Sequence, residues 1–112
     1  MIVFTLPLDG EQAIAPDSRF IVQFSAYMDE DTFQGHVRLR YADGTDVPGM
    51  TWRYDDDRRA LIVDPGGLLR PGQQLELLLL PGILDAGGAP LAPRLGATVD
   101  GAVELLSYKV GS

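Results

Sequence analysis

The sequence has no cysteine and a single histidine in 112 residues. Those two absences exclude disulfide scaffolds, thiolate zinc sites, Cys–His nucleophile pairs and multi-histidine metal centres. Positive charge is also scarce: nine Lys and Arg stand against sixteen Asp and Glu, for a net charge of −7. Neutralising phosphates takes a basic stripe, so no nucleic acid is expected as a partner, and an anionic membrane surface is disfavoured on the same ground. No run approaches the roughly 18 apolar residues of a membrane-spanning helix, so no membrane insertion is expected. The opening Met-Ile-Val-Phe-Thr-Leu-Pro has neither the basic region nor the cleavage site of a signal peptide. A chain without such a label is cytoplasmic or a piece of something larger, and its repeat-like character favours the piece.

What is present points to order. Leu, Val, Ile and Phe supply 33 of the 112 residues, too many for a disordered tail. Gly and Pro together supply 21, so turns are frequent. The length suits one domain over residues 1–112, and no linker or internal repeat divides it.

Apolar residues recur with a period close to two, and no segment carries a helix-length 3.6 pattern. Ile2–Pro7 reads as a first strand, stopped by Pro7 and the Asp9-Gly10 turn. Arg19–Ser25 alternates, with Phe20, Val22 and Phe24 on one face and Ile21 spoiling the other. Ala26–Phe33 breaks the alternation and predicts one helical turn capped by Asp29. His36–Tyr41 turns Val37, Leu39 and Tyr41 inward and His36, Arg38 and Arg40 outward. Met50–Tyr54 and Arg59–Asp64 follow, each bounded by polar or Gly/Pro turns. Leu68 and Leu69 are expected to tuck under the end of the fold. Gln74–Leu80 places Leu75, Leu77 and Leu79 on one face. Pro81–Pro93 reads as a long Greek-key crossover, and Ala97–Val110 as a last strand bent at Asp100-Gly101. About seven short antiparallel strands with frequent turns predict an all-β, Ig-like β-sandwich. Pro7, Pro48 and the Arg38/Arg40 face are candidates for protecting sheet edges.

Several strings, in order, resemble the bacterial Ig-like domains named after an S-layer protein (SbsA type). They are Pro7-Leu8-Asp9-Gly10, then Phe20-Ile21-Val22-Gln23-Phe24-Ser25 running into Met28-Asp29. Leu61-Ile62-Val63-Asp64-Pro65 with Leu69 and Pro71-Gly72 follows, and Asp85-Ala86-Gly87-Gly88 with Leu91 closes the series. The resemblance covers residues 6–95. Tyr27 stands where a proline is usual and Gly88 where an asparagine is usual, departures in turn chemistry rather than in any site. The resemblance implies an exported protein, at the cell surface, in the periplasm or secreted. It also implies a role as spacer, adhesive module or accessory to other domains, with neighbouring domains of the same polypeptide or another protein as partners.

The chemistry is sparse. A Ser-His-Asp triad would have to use His36, which reads as an exposed strand residue, and no Gly-x-Ser-x-Gly elbow is present. A sandwich this short has little chain left for a substrate cleft, so no enzyme is expected. The alternative is a calcium- or carbohydrate-binding accessory module. For calcium, residues 29–57 hold eight acids as an acidic flank: Asp29, Glu30, Asp31, Asp43, Asp46, Asp55, Asp56 and Asp57. Neither acidic run has EF-hand spacing, and Arg58 and Arg59 can neutralise the second. For sugars, the platforms would be Trp52 with Tyr54, or Tyr27 with Tyr41, although Trp52 and Tyr54 share a face with Met50 as core residues do. No catalytic, cofactor-binding or metal-ligating residue is therefore assigned, and no cofactor. Ile21, Ile62, Leu78 and Leu80 fall on outward faces and suggest an interface with a neighbouring domain or a second copy.

Overall fold

The computed structural model describes residues 1–111. Its strands are β1 (Ile2–Leu6), β2 (Phe20–Phe24), β3 (Val37–Tyr41), β4 (Thr51–Asp55), β5 (Ala60–Asp64), β6 (Gln74–Leu79) and β7 (Glu104–Lys109). One 3₁₀ turn, Glu30–Phe33, lies between β2 and β3. Two antiparallel sheets result, one in the order β1-β2-β5-β4 and the other in the order β3-β6-β7.

The alternating side chains explain the core. Phe20, Val22 and Phe24 from β2, Leu61 and Val63 from β5, and Leu75, Leu77 and Leu79 from β6 are all fully buried between the sheets. The expected helical turn forms because the Asp29 side chain accepts from the Asp31 N–H at its start. It drops Phe33 into the centre, where its ring lies 5.7 Å from Phe24, 5.7 Å from Trp52 and 5.5 Å from Tyr54. Tyr54 in turn accepts the Met28 N–H on its hydroxyl, tying the chain leaving β2 to β4.

Four expectations are corrected. The connection through Pro81–Pro93 is not a crossover, because β6 and β7 are hydrogen-bonded neighbours in one sheet. The Greek-key crossings are instead made by β2 to β3, β3 to β4 and β5 to β6. The last strand starts at Glu104 rather than Ala97; Asp100 and Gly101 both have positive φ and make a tight turn bridged by Val99 and Ala102. Leu69 is buried but Leu68 is 80% exposed. Leu78, read as outward, is 2% exposed although it points away from the main core. It sits on the outer face of β6 between its register partners Arg38 and Leu105, whose side chains flank it.

Met1 lies beside Ser25, just past the end of β2, while Gly111 pairs with Ile14 and Gly72 below the start of β6. The β2 and β6 ends share one pole, as the Asp29 N–H bond to the Leu84 carbonyl shows. The two chain ends therefore sit at opposite poles of a body measuring 42 × 27 × 22 Å.

Candidate functional site

The acidic flank divides in space. Asp29, Glu30, Asp31, Asp55, Asp56 and Asp57 gather at the pole where β2 and β4 end, whereas Asp43 and Asp46 follow β3 at the opposite pole. Several of these carboxylates serve the turns that contain them. Asp29 accepts from Asp31 N–H at 3.2 Å, Asp43 from Thr45 N–H at 2.8 Å and Asp55 from Arg58 N–H at 3.4 Å. The Thr45 hydrogen bonds hold the Asp43 carboxyl below its ordinary value. Among the described residues no three His, Cys, Asp or Glu side chains converge in a way that can hold a metal ion. Asp29, Asp43 and Asp55 thus stabilise turns, Asp46 pairs with Arg38, and Glu30, Asp31, Asp56 and Asp57 are exposed.

The aromatic candidates separate as well. Trp52 is half-buried against Phe33, and Tyr54 is buried beside it. Tyr41 is 2% exposed and its hydroxyl accepts from Arg70 N–H, at the pole opposite Tyr27. Tyr27 is 53% exposed and lies under the Arg59 guanidinium, 5.4 Å from ring centroid to Cζ. No two aromatic rings form a shared exposed platform among the described residues.

His36 is not an exposed strand residue. It precedes β3, is half-buried, and donates from Nδ1 to the Thr32 carbonyl at 2.7 Å. Its Nε2 faces Gly82, where an added Cβ would lie only 2.6 Å away. The Thr32 hydroxyl donates to the Asp29 carbonyl and accepts from the Leu84 N–H. The imidazole thus braces the 3₁₀ turn against the β6–β7 connection, and among the described residues no serine hydroxyl is bonded to it.

One charged cluster was not apparent from sequence. Glu104 is buried on the inward face of β7, and accepts from Arg94 Nε at 3.1 Å and Arg94 N–H at 2.8 Å. Arg94 Nη2 reaches Asp9 at 3.4 Å, and Asp9 accepts the Ser107 N–H at 2.9 Å. Nearby, Tyr108 donates its hydroxyl to the Pro7 carbonyl, and burial pushes its ionisation well above the ordinary value, with the Asp9 charge adding to the effect. The signal available in sequence is that Glu104, Leu106 and Tyr108 share the inward face, where a carboxylate requires a cation. The cluster fastens the chain where it crosses from one sheet to the other. It is a structural clasp, with every buried side-chain polar atom bonded among the described residues.

Of the four outward apolar residues, Ile21, Ile62 and Leu80 remain half-buried, and Leu78 is buried on the outer face of β6, outside the main core. Ile21 and Ile62 are direct cross-strand partners, so they form one strip on the outer face of the four-stranded sheet. Leu80 lies on the other sheet, beside Val37 and Met50.

A four-stranded β1-β2-β5-β4 sheet packed on a three-stranded β3-β6-β7 sheet is the strand order of a constant-type Ig-like sandwich. The sequence matches the family of bacterial Ig-like domains over residues 1–100, and the chain belongs to that family. No curated protein sequence matches it. Among solved structures it is similar to CopC from Methylosinus trichosporium OB3b, with a TM-score of 0.70 at 13% identity, covering 98% of this chain and 91% of that one. It is also similar to the S-layer protein rSbsC(31-844), with a TM-score of 0.62 at 14% identity, covering 89% of this chain. The match takes up only 13% of the S-layer protein's length. At these identities the likeness is one of fold. No helix among the described residues is long and apolar enough to cross a membrane.

Proposed function

We propose that this chain is a non-catalytic structural domain, a spacer or interaction module of the S-layer (SbsA) type in an exported bacterial surface or secreted protein. The observation that carries the reading is the placement of the chain ends at opposite poles of a body 42 Å long. A domain joined through such ends adds its own height to the distance between its neighbours. Each end is anchored: Met1 is bonded to Ser25, and Gly111 to Ile14 and Gly72. Family membership and the S-layer neighbour, in which one segment of a long chain has this fold, support the reading and a location outside the cytoplasm. Asp29, Asp43 and Asp55 serve turns, and Asp9, Arg94 and Glu104 form the clasp, rather than lining a shared cleft.

The test is replacement within the parent protein. An unrelated sandwich of equal length with opposed ends preserves the parent's function if this domain is a spacer. Loss of function with the replacement, together with heat on titrating the native domain with calcium or a glycan, would support the accessory-module alternative instead.

A further inference from the structure

Four sheet edges have to be managed in a two-sheet sandwich, because an open edge is a template for another strand. Three are managed here. The edge of β3 is covered by residues 45–47, through Tyr41 N–H to Thr45 and Val47 N–H to Leu39. The edge of β7 is covered by residues 10–14, with Ile14 and Val110 in a parallel bridge and Gly10 N–H bonded to Ser107. The β4 edge is charged, carrying Arg53 and Asp55 beside the exposed Thr51.

The fourth edge is β1; among the described residues no strand or loop pairs with its outer side, and it is apolar. Met1–Leu8 contains no charged side chain in a chain of net charge −7. Val3 is 57% exposed, Phe4 46%, Leu6 50% and Leu8 58%. A register shift between Ile2 and Phe4 turns both Val3 and Phe4 outward, concentrating apolar surface at the edge. The surface continues inward, since Leu6 is opposite Ile21, which is opposite Ile62.

We propose that the β1 edge is a self-association surface, pairing antiparallel with β1 of a second copy around a two-fold axis. Charge selects this occupant. Acidic groups crowd one pole and follow the strands at the other, so most approaches of two copies bring carboxylates together. A β1–β1 pairing centred on Phe4 keeps Asp9 and Glu11 outside the paired length. An isologous contact also needs a surface complementary to itself, which an uncharged apolar strand edge is. Val3, Phe4, Leu6 and Leu8 expose on the order of 350 Å² of apolar side chain per copy, below the roughly 800 Å² per partner of a standard interface. The dimer is accordingly weak and reversible, forming at high local concentration such as that on a crowded surface.

Sedimentation velocity from about 1 µM to 1 mM tests this, with amide hydrogen exchange read at both ends of the range. The native chain is expected to shift from monomer to dimer, with β1 amides gaining protection at high concentration. Phe4→Lys and, separately, Val3→Lys place like charges across the two-fold and weaken association at least about tenfold while thermal melting shows that each variant folds. Arg53→Glu, on the β4 edge, leaves association unchanged. A native chain that stays monomeric at the highest concentration overturns the proposal. So does association that survives both lysine variants, association that Arg53→Glu abolishes, or binding of β1 only to strands of other proteins.

Discussion

Arg94 and Glu104 are joined by two hydrogen bonds, one from the guanidinium Nε at 3.1 Å and one from the backbone N–H at 2.8 Å. The carboxylate is 5% exposed at the side chain and the guanidinium 30%, so the arginine keeps part of its hydration while neutralising a buried charge. Because the same arginine reaches Asp9, this pair holds together the β6–β7 connection, β7 and the crossing after β1. Replacing Arg94 with Ala leaves the buried Glu104 charge without a cation, holding only the backbone N–H bond, which is expected to destabilise the domain by about 2–4 kcal/mol in urea unfolding. Changing Glu104 to Leu together with Arg94 to Met is expected to recover most of that loss. Equal stability of the native chain and the Arg94→Ala variant would show that the clasp is not structural.

Gly82 carries a second expectation. Its φ of 121° disfavours any side chain, and an added Cβ would meet the His36 ring. Gly82→Ala is expected to cost about 2–3 kcal/mol. In a double-mutant cycle His36→Ala relieves the part due to the ring and leaves the part due to the backbone. Strict additivity would mean that the ring does not obstruct the site.

Alkaline pH should unfold the domain through its buried tyrosines. Burial raises the ionisation of Tyr108 and Tyr54 above the ordinary value of 10.0. A group whose folded value is raised contributes stability that is fully present below its unfolded value and is lost as pH rises toward the folded one. Stability is therefore unaffected by these groups up to about pH 10 and falls above it. Tyr108→Phe lowers stability at neutral pH by about 1 kcal/mol through loss of the bond to Pro7, yet flattens the alkaline decline. Absorbance titration at 295 nm alongside urea unfolding at each pH checks both; an unchanged alkaline slope in the variant would refute the assignment.

Trp52 reports on the aromatic centre. With its ring against Phe33, it is expected to be only partly accessible to iodide, and Phe33→Ala should raise quenching and cost about 3–5 kcal/mol. Quenching of the native chain as strong as that of free tryptophan would place the ring outside the core and reopen a sugar-platform role.

Alternation made β2, β3 and β6 legible, because a period of two marks which side chains face the core, and the Asp29 cap marked the 3₁₀ turn. The same signal misplaced Leu78, since periodicity reports the face of a strand and not what neighbouring side chains lay over that face. The long-range partners were not legible either. Arg94 and Asp9 are 85 residues apart, and the bridge between Ile14 and Val110 joins opposite ends of the chain. The acidic flank, contiguous in sequence, falls at two poles because β3 carries the chain from one to the other. As for function, the family strings and the match over residues 1–100 both point to a bacterial Ig-like domain, while Asp29, Asp43 and Asp55 serve turns and Tyr41 and Tyr54 are packed into the core.

The spacer reading stands or falls on the opposed chain ends. The native chain has no cysteine, so Ser25→Cys and Lys109→Cys, both exposed, provide two unique attachment points for spin labels. Seven or so residues of strand height and one sheet separation place them on the order of 25–30 Å apart. Double electron–electron resonance is expected to give one narrow distance in that range, unchanged by calcium or a chelator. A distance below about 15 Å, a broad distribution, or a shift on adding calcium would contradict a rigid rod with exits at opposite poles.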